Sequence, residues 1–323
     1  MSDLLVAPSV PPKRRRPGAR RRPLSSKASR RVRTVAPYLL VLPVVVTLAV
    51  ALGYPLVRQL VMSFQEFGLA QQFGAEPEWV GLENYKTLLT DDATWAVIIR
   101  SLVFCAVNAA VTMILGMAVA VLKTKLSTWV RIVVQSVLLL AWAMPVIASM
   151  TVWQWLFDTQ YGVINWLLVK LGLGQYEQHS WLLEPMSFFF VATVIVVWMS
   201  VPFVAFSLYA ALTQVSAEQL EAAQLDGAGP WQRFRHITVP TIMPVVYVVS
   251  LLQVVWDLRV FAQIYYLQGA GGLRSETDLL GTHIYNLGIG QSSYGMASAV
   301  AIFMLVLTLV LTIGYVRKLA KED

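Results

Sequence analysis

Charge is scarce in this sequence: 13% of its 323 residues are Asp, Glu, Lys or Arg, against 57% apolar residues. Soluble domains carry about 25% charged residues, so the shortage, with a mean hydropathy of +0.62, excludes an ordinary soluble fold and points to a bilayer. Cysteine is scarcer still. Cys105 stands alone in an apolar run, which excludes an intrachain disulfide, a cysteine-rich metal site or a redox pair and leaves a buried, inert thiol as the expectation. The histidines, His179, His236 and His283, fall far apart in the expected topology and define no metal site. No Gly-x-x-x-x-Gly-Lys-Ser/Thr segment occurs, so hydrolysis of ATP through a phosphate loop is excluded for this chain.

An excess of positive charge is missing too, outside one place. Residues 1–33 hold eleven of the 25 Lys and Arg, with Asp3 as the single acid, so the net charge of +7 becomes −3 once that tail is set aside. The tail has five prolines from Pro8 to Pro23 and no aromatic residue. Such a segment buries too little surface to fold and is expected to be disordered. A nucleic-acid arm would need a folded basic surface with stacking aromatics. A cleaved signal peptide would need a shorter apolar run and a small-residue cleavage site. A cytoplasmic topology anchor fits better than either.

What is abundant is long apolar sequence. A hydrocarbon core about 30 Å thick takes roughly 20 helical residues. Six runs lack Asp, Glu, Lys and Arg altogether: 34–57, 101–122, 132–157, 185–217, 236–256 and 279–316. They predict an all-α membrane protein with six transmembrane helices, near 35–57, 97–122, 132–156, 186–212, 241–267 and 294–316, forming one domain over 34–323 after the tail. Basic residues near span ends are retained on the cytoplasmic side. With the tail inside, 19 of the 25 Lys and Arg fall on inner segments and five (Arg58, Lys86, Arg100, Lys170 and Arg274) on outer ones, while Arg259 lies within the fifth span. Both termini are therefore expected to be cytoplasmic.

The loop from 214 to 240, between the fourth and fifth spans, has explicit local chemistry. Ser216 with Gln219 three residues on reads as a capping-box pair, and Glu218 sits in the favoured first turn. Gly227 reads as a left-handed stop. A helix from about Ala217 to Asp226 follows. Pro230 then opens a second helix, with Trp231 and Phe234 on one side, that Pro240 is expected to end. Interfacial helices that lie on lipid are rich in Lys and Arg. This first helix is acidic and rich in alanine, which suits close approach of another protein, and its acids argue against DNA.

Here the sequence resembles a known family. Glu221-Ala222-Ala223, Gly227 after three residues, then Ile237 and Pro240 after nine more, are similar to the EAA loop of binding-protein-dependent ATP-binding-cassette importers. Trp79-Val-Gly-Leu-Glu-Asn-Tyr85, Tyr54-Pro55 with Ser63-Phe64, and the series Trp256-Asp257, Gly271-Gly272, Thr277, Tyr285 and Gly295 resemble the carbohydrate-uptake (maltose and glycerol-phosphate permease-like) branch. Leu273 stands where that branch usually has Pro. The resemblance implies a type I importer permease fold, with a coupling helix between spans four and five. It also implies that Glu221, Ala222, Ala223, Asp226 and Gly227 contact a separate ATPase. The subunit would be non-catalytic and bind no cofactor, with ATP and Mg on the partner. The expected partners are two copies of the ATPase, a second permease, an extracellular solute-binding protein, a sugar or oligosaccharide, and membrane lipid.

Substrate-path candidates come from the cost of intramembrane charge. Gln253 and Asp257, four residues apart, share a helix face; Asp257 and Arg259, two apart, do not. Asp257 reads equally as a wall for sugar hydroxyls or as half of an ion pair. Trp142, Trp153, Trp155 and Trp198 suit sugar stacking but also interfacial anchoring. The rival functions are a permease of the same kind for a non-sugar solute, an ion-coupled secondary transporter with Asp257 as its one intramembrane carboxylate, and a membrane scaffold, which would leave the acidic loop without a role.

Overall fold

The structure, a computed structural model, describes residue 38 and residues 40–322, so the basic tail lies outside the described residues. The chain clusters into two compact units, residues 1–57 and 58–323. The first contains the start of helix α1 (Leu40–Met62). The second contains, in order, strands β1 (Gln65–Glu66) and β2 (Glu78–Trp79) and helices α2 (Glu83–Thr90), α3 (Asp92–Lys125), α4 (Thr128–Ala143), α5 (Val146–Leu156) and α6 (Val163–Lys170). It continues with α7 (Pro185–Leu212), α8 (Ala217–Leu225), α9 (Pro230–Arg233), α10 (Val239–Leu258), α11 (Ala262–Gly269), α12 (Leu280–Tyr285) and α13 (Tyr294–Glu322). Among the described residues the fold is helical but for the two-residue antiparallel pair of β1 and β2, with Gln65 opposite Trp79.

Among the described residues, five helical segments are long and apolar enough to cross a membrane: Leu40–Met62, Asp92–Lys125, Pro185–Leu212, Pro230–Gly269 and Tyr294–Arg317. The sixth, expected as one helix over 132–156, is instead the pair α4 and α5, bent by 100° at Met144 and Pro145. Proline removes the N–H that would continue the ladder and pushes the residue before it into extended backbone. Met144 takes φ −69°, ψ 128° accordingly.

Apolar burial between membrane helices gains dispersion and close fit rather than release of water, because lipid tails are as apolar as leucine. Helix α7 is where that fit is best. It is apolar all round, and Phe188, Val191, Ala192 and Ile195 are buried against Phe104 of α3 and Ile264 and Leu267 of α11. Lower down its length, Val204 and Leu208 meet Ala120 of α3 and Val249 of α10. The two helices approach closely at Gly116 of α3, where a Cβ would stand 2.4 Å from Val204 Cγ1. A second cluster joins Leu88, Val97, Ile98, Cys105, Leu280 and Val300, and the Cys105 thiol is buried within it.

Several residues that carry the family resemblance act as staples. Asn84 Nδ2 donates to the carbonyls of Ser63 (3.0 Å) and Gln65 (3.1 Å), and the hydroxyls of Tyr85 and Ser63 are 2.7 Å apart. Gly295 N–H donates to the Phe67 carbonyl at 2.9 Å, and a Cβ on Gly295 would fall 2.2 Å from the Gln65 carbonyl oxygen. Gly272 lies against Phe188 in the same way, 2.4 Å from a ring carbon.

Candidate functional site

The segment from Ser216 to Pro240 folds as an elbow of two helices. Helix α8 ends in a Schellman motif: Gly227 has φ +85°, its N–H bonds the Gln224 carbonyl (3.1 Å), and the Ala228 N–H bonds that of Ala223 (2.9 Å). A side chain at 227 would be strained in that left-handed conformation. The N-terminal end departs from the sequence-based expectation. Ser216 makes no side-chain cap, since this exposed helix end leaves its free N–H groups to solvent. The reciprocal bond is found one helix later, where Gly229 N–H donates to Gln232 Oε1 at 2.8 Å.

Pro240 does not end the second helix. A π-turn over Phe234–Thr238 carries α9 into α10. Proline needs the carbonyl four residues back to swing away, and a widened turn supplies that room. Trp231 and Phe234 lie on one side as expected, their rings stacked at 5.7 Å.

Glu221, Ala222, Asp226 and Gly227 are exposed and Ala223 is half-buried, so four of the five expected contact residues are open at the elbow's tip. The residue that holds them there was not singled out from sequence. Arg233 Nη1 donates to Gln224 Oε1 at 2.8 Å and reaches the Leu220 carbonyl at 3.5 Å, tying α8 back onto α9. Only the absence of an acid among the near neighbours of Arg233 in sequence could have hinted at a structural cation.

The other candidate pair lies inside the bundle. Gln253 Nε2 donates to Asp257 Oδ1 at 2.9 Å, and both residues are buried, at 0% and 2% exposure. Their remaining oxygens, Gln253 Oε1 and Asp257 Oδ2, have no hydrogen-bond partner among the described residues, and Asp257 makes no ion pair there. On the facing helix α3, Asn108 Oδ1 and Thr112 Oγ1 are likewise buried without a partner. Arg259 lies within the long apolar segment Pro230–Gly269, exposed at the C-cap of α10 where the helix breaks before α11. No cluster of His, Cys, Asp or Glu suited to a metal occurs among the described residues.

Trp153 packs edge-to-face on Trp198 at 5.6 Å and against Phe157, whereas Trp142 and Trp155 are exposed. An open cleft of about 310 Å³ is lined by Gln154, Tyr265, Tyr266 and Arg274. Beside it, the Tyr265 ring stacks on Phe261 at 5.4 Å and meets Tyr285 at 5.2 Å. Sequence reasoning passed over Tyr265 and Tyr266 and named Tyr285 only within the family series; the break after α10 is what sets Tyr265 against it.

The family described as binding-protein-dependent transport system inner membrane component matches residues 111–317. The chain is 43% identical to the diacetylchitobiose uptake system permease protein DasB of Streptomyces coelicolor over 92% of its length and 90% of that protein. It is 34% identical to the trehalose/maltose transport system permease protein MalF of Thermococcus litoralis, over 87% and 92%. Its fold is similar to a chain of a bacterial ATP-binding-cassette transporter involved in the import of the acidic polysaccharide alginate. The TM-score is 0.78 at 22% identity, covering 92% of this chain and 99% of that one.

Proposed function

The chain belongs to the family of binding-protein-dependent transport system inner membrane components, and from that premise we propose that it forms half of the pore of an ATP-driven importer for a sugar or oligosaccharide. The observation that carries the coupling role is the elbow itself. A helix end with Glu221, Ala222, Asp226 and Gly227 exposed is held by the Gly227 turn and the Arg233 tether, a form suited to a part that passes force between two proteins. The partner is a separate ATPase in two copies, which carries ATP and Mg. A second permease completes the pore, and an external solute-binding protein delivers the solute. The names of the relatives, which concern diacetylchitobiose and trehalose or maltose, support a saccharide. So does a solved neighbour in complex with a pentasaccharide-bound periplasmic protein.

The charge bias supports an arrangement with both termini and the elbow on the cytoplasmic side. Alternating access exposes the substrate path from one side at a time. In this reading Gln253 and Asp257, closed within the bundle here, contribute hydrogen bonds when the helices part. The cleft at Gln154, Tyr265 and Arg274 offers the ring faces and polar groups that sugar sites combine.

The test uses the complex reconstituted with its ATPase and binding protein. Gly227→Asp and Glu221→Lys are expected to leave the chain inserted and folded while abolishing solute-stimulated ATP hydrolysis. Normal stimulation in both variants would overturn the coupling role.

A further inference from the structure

Where the last turns of α3 and α7 meet the elbow, the chain leaves an open groove of about 910 Å³. One wall is apolar, with Ile114 and Val121 from α3 and Leu212 from α7. At its elbow end stand Lys125 and Arg233, and among the described residues no Asp or Glu lines the groove. Lys125 is exposed. Among the described residues Arg233 is committed through Nη1 alone, and its Nε is buried without a hydrogen-bond partner there. Trp231, 67% exposed, flanks that end.

The dimensions identify an occupant. Ile114 and Lys125 are eleven residues apart, which at 1.5 Å per residue is about 16 Å along the helix. That is one leaflet's share of a hydrocarbon core about 30 Å thick. An apolar wall one leaflet long, two cations without an acidic counterpart at its polar end, and an exposed tryptophan at headgroup depth match an anionic phospholipid. A protein helix would cover the apolar wall but leave Lys125 and Arg233 without charge partners.

We propose that this groove holds one anionic phospholipid of the cytoplasmic leaflet, an acyl chain along Ile114 and Val121 and the phosphate between Lys125 and Arg233. The inference rests on the inward orientation proposed above. Because Arg233 also tethers α8, the headgroup charge and the position of the elbow are linked through one guanidinium.

The full chain, purified in mild detergent, is titrated with phosphatidylglycerol or phosphatidylcholine, and retained lipid is counted by native mass spectrometry. One phosphatidylglycerol should be held in preference to phosphatidylcholine, and Lys125→Gln should weaken that binding about fivefold, the share of one basic residue near an anionic headgroup. In the assembled complex in membranes, a photo-crosslinking amino acid in place of Ile114 should capture lipid. Equal retention of the two lipids, no effect of Lys125→Gln, or capture of another protein chain at position 114 would each overturn the proposal. The reading beneath it fails separately: an impermeant thiol reagent that labelled Gln224→Cys from outside would overturn the orientation, whatever the lipid result.

Discussion

Lys123 Nζ lies 4.1 Å from the ring centroid of Tyr209 and 4.4 Å from that of Phe206, with no solvent exposure and no hydrogen-bond partner among the described residues. A desolvated cation over aromatic faces gains about 2 kcal/mol, while removing an ammonium from water costs several kcal/mol even after relaxation. The desolvation cost outweighs the gain, so Lys123→Met should unfold in detergent at the same temperature as the parent or higher. Lys123→Glu, with its negative charge against the ring faces, should unfold well below both. A marked drop for Met would show that the cation–π contacts dominate.

At Gly116 the α3 and α7 backbones approach so closely that a single methyl meets Val204 at 2.4 Å. Gly116→Ala should cost about 1–3 kcal/mol by overpacking. Val204→Ala removes Cγ1 but leaves Cβ, which would stand 2.7 Å from the new methyl, so the double variant should be more stable than the sum of the two single changes yet recover only part of the loss, measured as a double-mutant cycle.

Asn84 spans two carbonyls with one amide nitrogen. Asn84→Ala leaves the Ser63 and Gln65 oxygens without that donor, a loss of about 1–3 kcal/mol if they remain out of water. Hydrogen exchange should quicken over residues 63–66 and near Gly295, which packs on the same backbone, and remain unchanged in α10.

Asp91 caps α3, its Oδ2 accepting from the Thr94 hydroxyl at 2.6 Å and the Thr94 N–H at 2.8 Å. Those bonds favour the ionised carboxylate and hold its pKa below the ordinary 3.8. A group depressed on folding contributes stability that is fully present above the unfolded pKa and lost as pH falls through the lower, folded one. Asp91→Asn keeps the cap but not the titration, so the stability difference between Asp and Asn should be constant above about pH 5 and change only in stronger acid. Asp91→Ala should cost about 1 kcal/mol at neutral pH. A difference that stayed independent of pH far into acid would remove the carboxylate from the account.

Much of the architecture was legible in the sequence because membrane insertion and helix capping are local. Hydropathy over some twenty residues locates a span whatever it packs against. A glycine in left-handed backbone closes a helix from within its own turn, so Gly227 and the end of α8 were both readable. The acidic, alanine-rich face around Glu221 is likewise a property of a few adjacent residues. The same local reasoning went astray at Pro240, where helix continuation depends on a π-turn that no propensity marks. It also gave Ser216 a cap that an exposed helix end does not require.

What only the tertiary structure decided involves partners distant in sequence. The third span was expected as one helix, and the 100° turn between α4 and α5 is a direction in space that apolar length does not encode. Ser101 accepts the Leu280 N–H from 179 residues away, and Gly295 has no visible reason to be glycine until the Gln65 carbonyl lies against it. Arg233 as the tether of the elbow, and Lys123 closed between two rings, are of the same kind. Each depends on which helix faces meet, and in a bilayer, where every outward face is apolar, hydrophobic patterning does not say which those are.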